Sequence, residues 1–318
     1  MGGDVPTIDS SNAPYCDYFL ERKGPMKRIF LFCVTNLAVL ALLCLLVFVC
    51  ERVSGIRLGD GGLRALLVLA AVCGAGGSLV SLALSKWTAK RLMAVRVIAE
   101  PQSELELWLH GTVRRLAVAV GIGMPEVGIF DAEDMNAFAT GARRDAALVA
   151  VSTGLLRSMP RPQAEAVLAH EISHIANGDM VTLALLQGVL NTFVIFIARL
   201  IGCAVDRSWF ENDGEESGIV FFLATTVAQL VLGLFASMIV SWYSRQREFR
   251  ADRGGANLTD VGSMVGALEV LKRSQGDPLP PQMQLFGINT GNDGNFKRLF
   301  MSHPPLEARI AALLSSQS

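Results

Sequence analysis

Ala169-His170-Glu171-Ile172-Ser173-His174-Ile175 sets two histidines four residues apart. On a helix that spacing puts both imidazoles on one face, about one turn from each other, where they can reach one tetrahedral metal ion. Glu171, beside the first histidine, projects close enough to polarise a water on that metal. The run from Pro162 to Asn177 reads as the helix that carries them. Pro162 suits a first turn, Ala164, Ala166, Val167, Leu168 and Ala169 favour or tolerate helix, and Asn177-Gly178 supplies a C-terminal stop. The competing reading is an accidental match on a buried helix. With four histidines in the chain, that arises in roughly one in several hundred sequences.

The surroundings of this stretch are those of a membrane protein. Of 318 residues 51% are apolar and 18% charged, and the apolar ones gather in long runs. The net charge of −1 says nothing about nucleic acid, but the lack of a basic stripe with interleaved aromatics argues against a nucleic-acid partner. Cys33, Cys44, Cys50, Cys73 and Cys203 lie in or beside apolar runs, where cysteine acts as a small hydrophobe. No paired spacing suggests disulfides, which places the catalytic part in a reducing compartment.

The apolar runs divide the chain. Residues 1–25, polar and carrying Pro6, Pro14 and Pro25, read as a disordered extension, with Met26 as an alternative start. A first transmembrane hairpin is expected over 26–84, with helices 29–50 and 63–84, and a second over 181–243, with helices 181–205 and 218–242. Ala70, Gly74 and Ser78 recur every four positions, a spacing that lets helices approach closely in lipid, most simply here against the first run. A helix merely poor in bulky residues is the alternative. Arg199 can snorkel, and Asn191 suits an interhelical hydrogen bond. Lysines and arginines precede the first run, follow the second and follow the fourth, whereas the loop between the third and fourth is acidic. The positive-inside rule then puts both termini and the metal helix in the cytoplasm.

Two polar segments, 85–180 and 244–318, remain to build one peptidase-sized core. Ser103-Glu104-Leu105-Glu106 is a capping box opening a helix with Leu105, Trp108, Leu109, Val113 and Leu116 on one face, ended at Gly121. Pro125–Asp131 and Ala147–Ser152 are strand candidates joined through Asn136–Gly141. The second segment offers Ser244–Asp252, a helix from Val261 to Leu271, a Pro-rich linker, then Ser302-His303-Pro304-Pro305 and a closing helix with Leu306, Ile310 and Leu313 inward.

Two histidines and a water leave a catalytic zinc one protein ligand short. Glu248, opening a helix that leaves the membrane on the same side as the metal helix, is the candidate, and Asp252 one turn later could orient a ligand histidine. Alternatively Glu248 is a surface carboxylate paired with Arg245 or Arg250.

His170-Glu171-x-x-His174, Arg247-Glu248-Phe249-x-Ala251-Asp252 and Ser302-His303-Pro304-Pro305, in that order with four apolar runs, resemble the HtpX-type membrane zinc metalloproteases of bacteria. These share a peptidase class with the CAAX prenyl endopeptidases, and the resemblance covers the chain from Met26 onward. It implies a mainly α membrane protein, with four transmembrane helices and a cytoplasmic α+β zincin-like (gluzincin) peptidase domain. It implies one Zn2+ per chain on His170, His174 and Glu248, with Asp252 supporting a metal histidine. It places Asn136 on a wall or edge strand that aligns the peptide, and has His303 and Arg309 hydrogen-bond the tetrahedral intermediate. From the residues alone, His303 could equally cap or pack, and Arg309 could be a solvated helix charge. The implied function is endoproteolysis of misfolded or damaged membrane proteins at the inner membrane, in envelope stress and quality control. The partners are then polypeptide substrates and the lipid bilayer, with the oligomeric state open. A true intramembrane protease is disfavoured by Arg161, Gln163, Glu165, Asn177 and Asp179 around the motif, and an inactive scaffold or transporter by the intact Glu171.

Overall fold

The computed structural model describes residues 62–210, 219–274 and 303–316. The extension 1–25, the first apolar run 29–50, most of the acidic loop and the Pro-rich linker fall outside these residues. In chain order the elements are α1 (Gly62–Ala71), a π-helical turn (Val72–Gly76), α2 (Gly77–Leu92), β1 (Arg96–Val97), α3 (Glu104–Ala119), β2 (Glu126–Phe130) and β3 (Ala137–Thr140). They continue with β4 (Leu148–Ser152), α4 (Thr153–Ser158), α5 (Arg161–Asn177), α6 (Asp179–Phe210), α7 (Ile219–Leu258), α8 (Val261–Ser274) and α9 (Leu306–Ser315).

Among the described residues three helical stretches are long and apolar enough to cross a membrane: Val68–Leu92, Asp179–Asp206 and Ile219–Leu258. The small-residue stripe of the second run packs against the third run, while the first run lies outside the described residues. Ala70 is buried against Phe196 of α6. A Cβ at Gly74 would overlap the backbone nitrogen and Oγ1 of Thr192, so only hydrogen fits there. Asn191, expected in an interhelical hydrogen bond, lies exposed beside Thr192.

The fourth run corrects a second expectation. Glu248 does not open a new helix, because α7 runs unbroken for 40 residues, about 60 Å at 1.5 Å per residue. Leaving lipid does not require a helix to end. Ser244 to Ala251 contains no Pro or Gly and is rich in Arg, Gln, Glu and Ala, so the backbone hydrogen bonds simply continue.

The polar segments form one core around a four-stranded sheet in the order β1-β2-β4-β3. β2 and β4 are parallel, with Val127 opposite Val149, while β1 and β3 pair antiparallel on the outside. The strands expected at 125–131 and 147–152 are present, and Ala137–Thr140, a connection by its residues and beside a wall or edge strand by the resemblance, is an edge strand. Leu109, Val113 and Leu116 of α3, Leu168 and Ile172 of α5, Leu268 of α8 and Leu313 of α9 share the core. Leu105, expected on the inner face, is 37% exposed. Ser103 caps α3 by accepting from the Glu106 N–H, but the Glu106 carboxylate accepts from Gln102 N–H and Arg96 instead of closing the box on Ser103. Lys86 and Lys90 at the end of α2 both pair with Glu126 at the start of β2, tying the membrane helix to the sheet.

Candidate active site

The metal helix α5 begins at Arg161-Pro162, where the N–H that proline lacks has no helical partner to lose. It ends at Gly178, whose φ of 64° is a left-handed cap that returns its N–H to the carbonyls of the last turn. The chain then enters α6 directly at Asp179. Both histidines are buried, their rings edge to face with centroids 4.6 Å apart and the two Nε2 atoms 3.1 Å apart.

Helix α7 brings Glu248 to them. Small residues permit the approach: Ala251 is fully buried, and a Cβ at Gly254 would come within 2.5 Å of Ser173 Oγ. Glu248 is 1% exposed, so it is no surface carboxylate, and the nearest arginine of that helix is Arg247 at 3.6 Å. Its Oε1 lies 3.4 Å from His174 Nε2 and its Oε2 3.5 Å from His170 Nε2. Four ligands at about 2.0–2.1 Å around a tetrahedral metal stand about 3.3 Å apart. The donor atoms of His170, His174 and Glu248 all lie within 4.8 Å of one another, and buried Glu248 Oε1 makes no hydrogen bond of its own. A carboxylate oxygen kept from water yet facing two imidazoles fits a metal ion.

Each histidine is backed by a second carboxylate. Asp252 Oδ1 is 2.9 Å from His170 Nδ1, and Asp179 Oδ2 is 2.8 Å from His174 Nδ1. His174 Nδ1 donates to Asp179 and His170 Nδ1 faces Asp252 at ion-pair distance, so the Nε2 atom of each ring is turned toward the site. Burial alone would depress the histidine pKa values. The facing carboxylates of Asp252 and Glu248 outweigh it and push His170 up to about 9, and Asp179 and Glu248 likewise raise His174.

The closing segment adds two more groups. His303, whose side chain is 62% exposed, puts Nδ1 3.0 Å from Glu248 Oε2. Buried Arg309 donates from Nε and Nη2 to the two oxygens of Asp252 at 2.7 and 2.5 Å, and its Nη1 is 3.7 Å from Glu248 Oε2. A cleft of about 310 Å³ joins these residues to half-buried Glu171 and to Asn136, with Leu155, Met264 and Leu268 as its apolar lining. The backbone of Asn136 is fixed through Ser152, whose Oγ accepts its N–H and whose N–H reaches its carbonyl. Six of the eight residues singled out in the sequence line this cleft, and His174 and Asp252 stand behind it against Glu248 and His170. Asp179 was missed in that role. Its signal was its place directly after the Gly178 turn, which folds it back onto the helix it follows.

Paired histidines and a glutamate from facing helices, with a second glutamate beside them in a cleft, define a metallopeptidase of the His-Glu-x-x-His class. The family profile described as "Peptidase family M48" matches residues 103–317, and the chain belongs to that family. It is similar to a protein named Protease HtpX from Alkalilimnicola ehrlichii, 57% identical over 294 residues that cover 91% of this chain and 97% of that one. A protein named Protease HtpX homolog from Thiobacillus denitrificans is 56% identical over 292 residues, 92% of this chain and 100% of that one. The fold is shared with the crystal structure of S. mikatae Ste24p, at a TM-score of 0.56 and 18% identity over 94% of this chain and 69% of that one. The protein is thus a membrane-bound metalloprotease.

Proposed function

We propose that the protein is a zinc endopeptidase of the bacterial inner membrane that cuts misfolded or damaged membrane proteins on the cytoplasmic side, in envelope stress and quality control. The observation that carries the chemistry is the buried triangle of His170, His174 and Glu248 donor atoms beside Glu171 in an open cleft. Those three residues hold one zinc per chain. When bound, zinc supplies Lewis acidity toward the scissile carbonyl and lowers the pKa of a water. Glu171 takes the proton of the attacking water and passes it to the leaving amine. His303, exposed at the cleft rim, donates to the carbonyl oxygen as negative charge develops there. Arg309 borders the same cleft and adds positive charge to it, while its hydrogen bonds go to Asp252. Asn136 and the outer edge of β3 align the peptide as an added strand. Asp252 and Asp179 hold the two ligand histidines in orientation.

The cytoplasmic placement rests on the charge asymmetry of the loops. Reporters inserted near Gly141 or fused after Ser318 should register as cytoplasmic, and one in the Asp213–Glu216 loop as external. The decisive test is zinc content with turnover on a membrane-protein substrate. His170→Ala, His174→Ala and Glu248→Ala should each lose most of the zinc. Glu171→Gln should keep it and lose turnover, since the base is not a ligand. Full zinc and activity in Glu248→Ala would refute the ligand set.

A further inference from the structure

We propose that Arg309 is a positioning residue for the ligand His170, acting through Asp252, so that the closing helix α9 completes the metal site from the far end of the chain. The proposal rests on the reading of His170, His174 and Glu248 as zinc ligands.

Three contacts form one chain. Arg309 engages both oxygens of Asp252 with two nitrogens of its fork, at 2.7 and 2.5 Å. The oxygen at 2.5 Å, Oδ1, is the one that stands 2.9 Å from His170 Nδ1. Asp252 is 1% exposed, and an anion at that depth is costly unless a partner offsets it. A guanidinium offsets it in a particular way. Its planar fork fixes the plane of the carboxylate as well as its charge, which a lysine ammonium cannot do. With the plane fixed, Oδ1 is held against the Nδ1 side of the ring, and Nε2 faces Glu248 and His174. Remove the fork and Asp252 can turn, taking the His170 ring with it.

The two ligand histidines differ here. Asp179, which holds His174, is the first residue of α6, so the free N–H groups of that helix end offset its charge. Asp252 sits in the interior of α7, nearer its C-terminal end at Leu258 and far from the N-terminal end at Ile219, so no helix N-terminus serves it. Its compensation comes from α9, which is anchored in the core by Leu313, Leu306 and Ile310. Arg309 is accordingly a fixed group with two nitrogens committed to Asp252. His303 is different, an exposed ring with one contact and freedom to meet substrate. The two residues that the resemblance assigned to one task are thereby separated.

The test uses the full-length protein in detergent and zinc affinity by competition with a chelator, alongside kcat and the melting temperature of the metal-free form. Arg309→Lys keeps the buried charge and so protects folding, but loses the fork. Arg309→Lys and Asp252→Asn should each weaken zinc binding about 10- to 100-fold. The double variant should bind no more weakly than the weaker single, because both break the same chain of contacts. An Arg309→Lys protein with wild-type zinc affinity and a kcat about a hundredfold lower would overturn the proposal, since Arg309 would then act on substrate. Fully additive losses in the double variant would also overturn it. A wild-type chain that takes up no zinc, or a His170→Ala chain that keeps it, overturns the ligand reading itself.

Discussion

Gly254→Ala tests whether the close approach of α7 to the metal helix sets the geometry of the site. A Cβ at position 254 would stand 2.5 Å from Ser173 Oγ and 2.9 Å from Ser173 Cβ. Carbon atoms in contact sit at about 3.5–4.0 Å, so the helices must part by roughly 0.6–1 Å. Such overpacking costs about 1–3 kcal/mol, offset by up to about 1 kcal/mol from replacing a helical glycine. The larger effect falls on the chemistry. Glu248 and Asp252 ride on α7 while both histidines ride on α5, so the 3.4 and 3.5 Å separations between ligand atoms shift together. A misplacement near 1 Å costs about 100-fold in rate. Rate, zinc affinity and melting temperature should be measured for Gly254→Ala, for Ser173→Gly and for the pair. Ser173→Gly alone should lose about 0.5 kcal/mol through helix propensity, together with the bond from its hydroxyl to the Ala169 carbonyl. In the pair the methyl has only changed sides, so rate and zinc affinity should recover. A Gly254→Ala enzyme with wild-type rate, or a pair no better than the sum of its singles, would refute the reasoning.

Asp179→Ala should weaken zinc binding about 10- to 100-fold, measured by chelator competition, because the His174 ring loses the carboxylate at 2.8 Å. His303→Ala should lower kcat about a hundredfold or more, and the 62% exposure of its side chain predicts an unchanged melting temperature. The metal-free protein should lose stability as pH rises. The pKa of His170 stands at about 9 in the fold against an ordinary 6.5, so its contribution is fully present below pH 6.5 and gone once the folded group has titrated near pH 9. Zinc affinity should climb over that same window, because the metal displaces the proton, and a flat affinity from pH 6.5 to 9 would count against His170 as a ligand.

What could be read from the sequence was local or periodic. The four-residue spacing of His170 and His174 fixes a shared helix face without knowledge of the fold, and Asn177-Gly178 announces where that helix stops. Capping at Ser103 and the strands around Val127 and Val149 are likewise written in neighbouring residues. Contacts between distant elements were not. Ala70, Gly74 and Ser78 state how closely something approaches, but small residues accept many partners, and Thr192 of the third run could not be singled out. The boundary of the fourth run was placed where polarity changes near Trp242, although backbone hydrogen bonding continues to Leu258. Polarity marks the edge of the lipid, whereas glycine, proline and caps mark the ends of helices. The Arg309–Asp252 pair joins two helices that no spacing rule connects, and resemblance pointed Arg309 toward a different partner.

The unbroken α7 also bears on how the enzyme comes into being. A ribosome delivers the His170–His174 helix first, and about 70 further residues separate it from Glu248. At about 5–20 residues per second that interval is roughly 4–15 s. Within it two long apolar segments must leave the ribosome, and the helix that carries the third ligand is the direct continuation of one of them. A nascent chain still short of Glu248 therefore cannot assemble the three-residue metal site, and a fragment trimmed to its polar segments has no membrane helix to hold Glu248 in register. Assembly of the site and the packing of α6 against α7 are therefore coupled in one event.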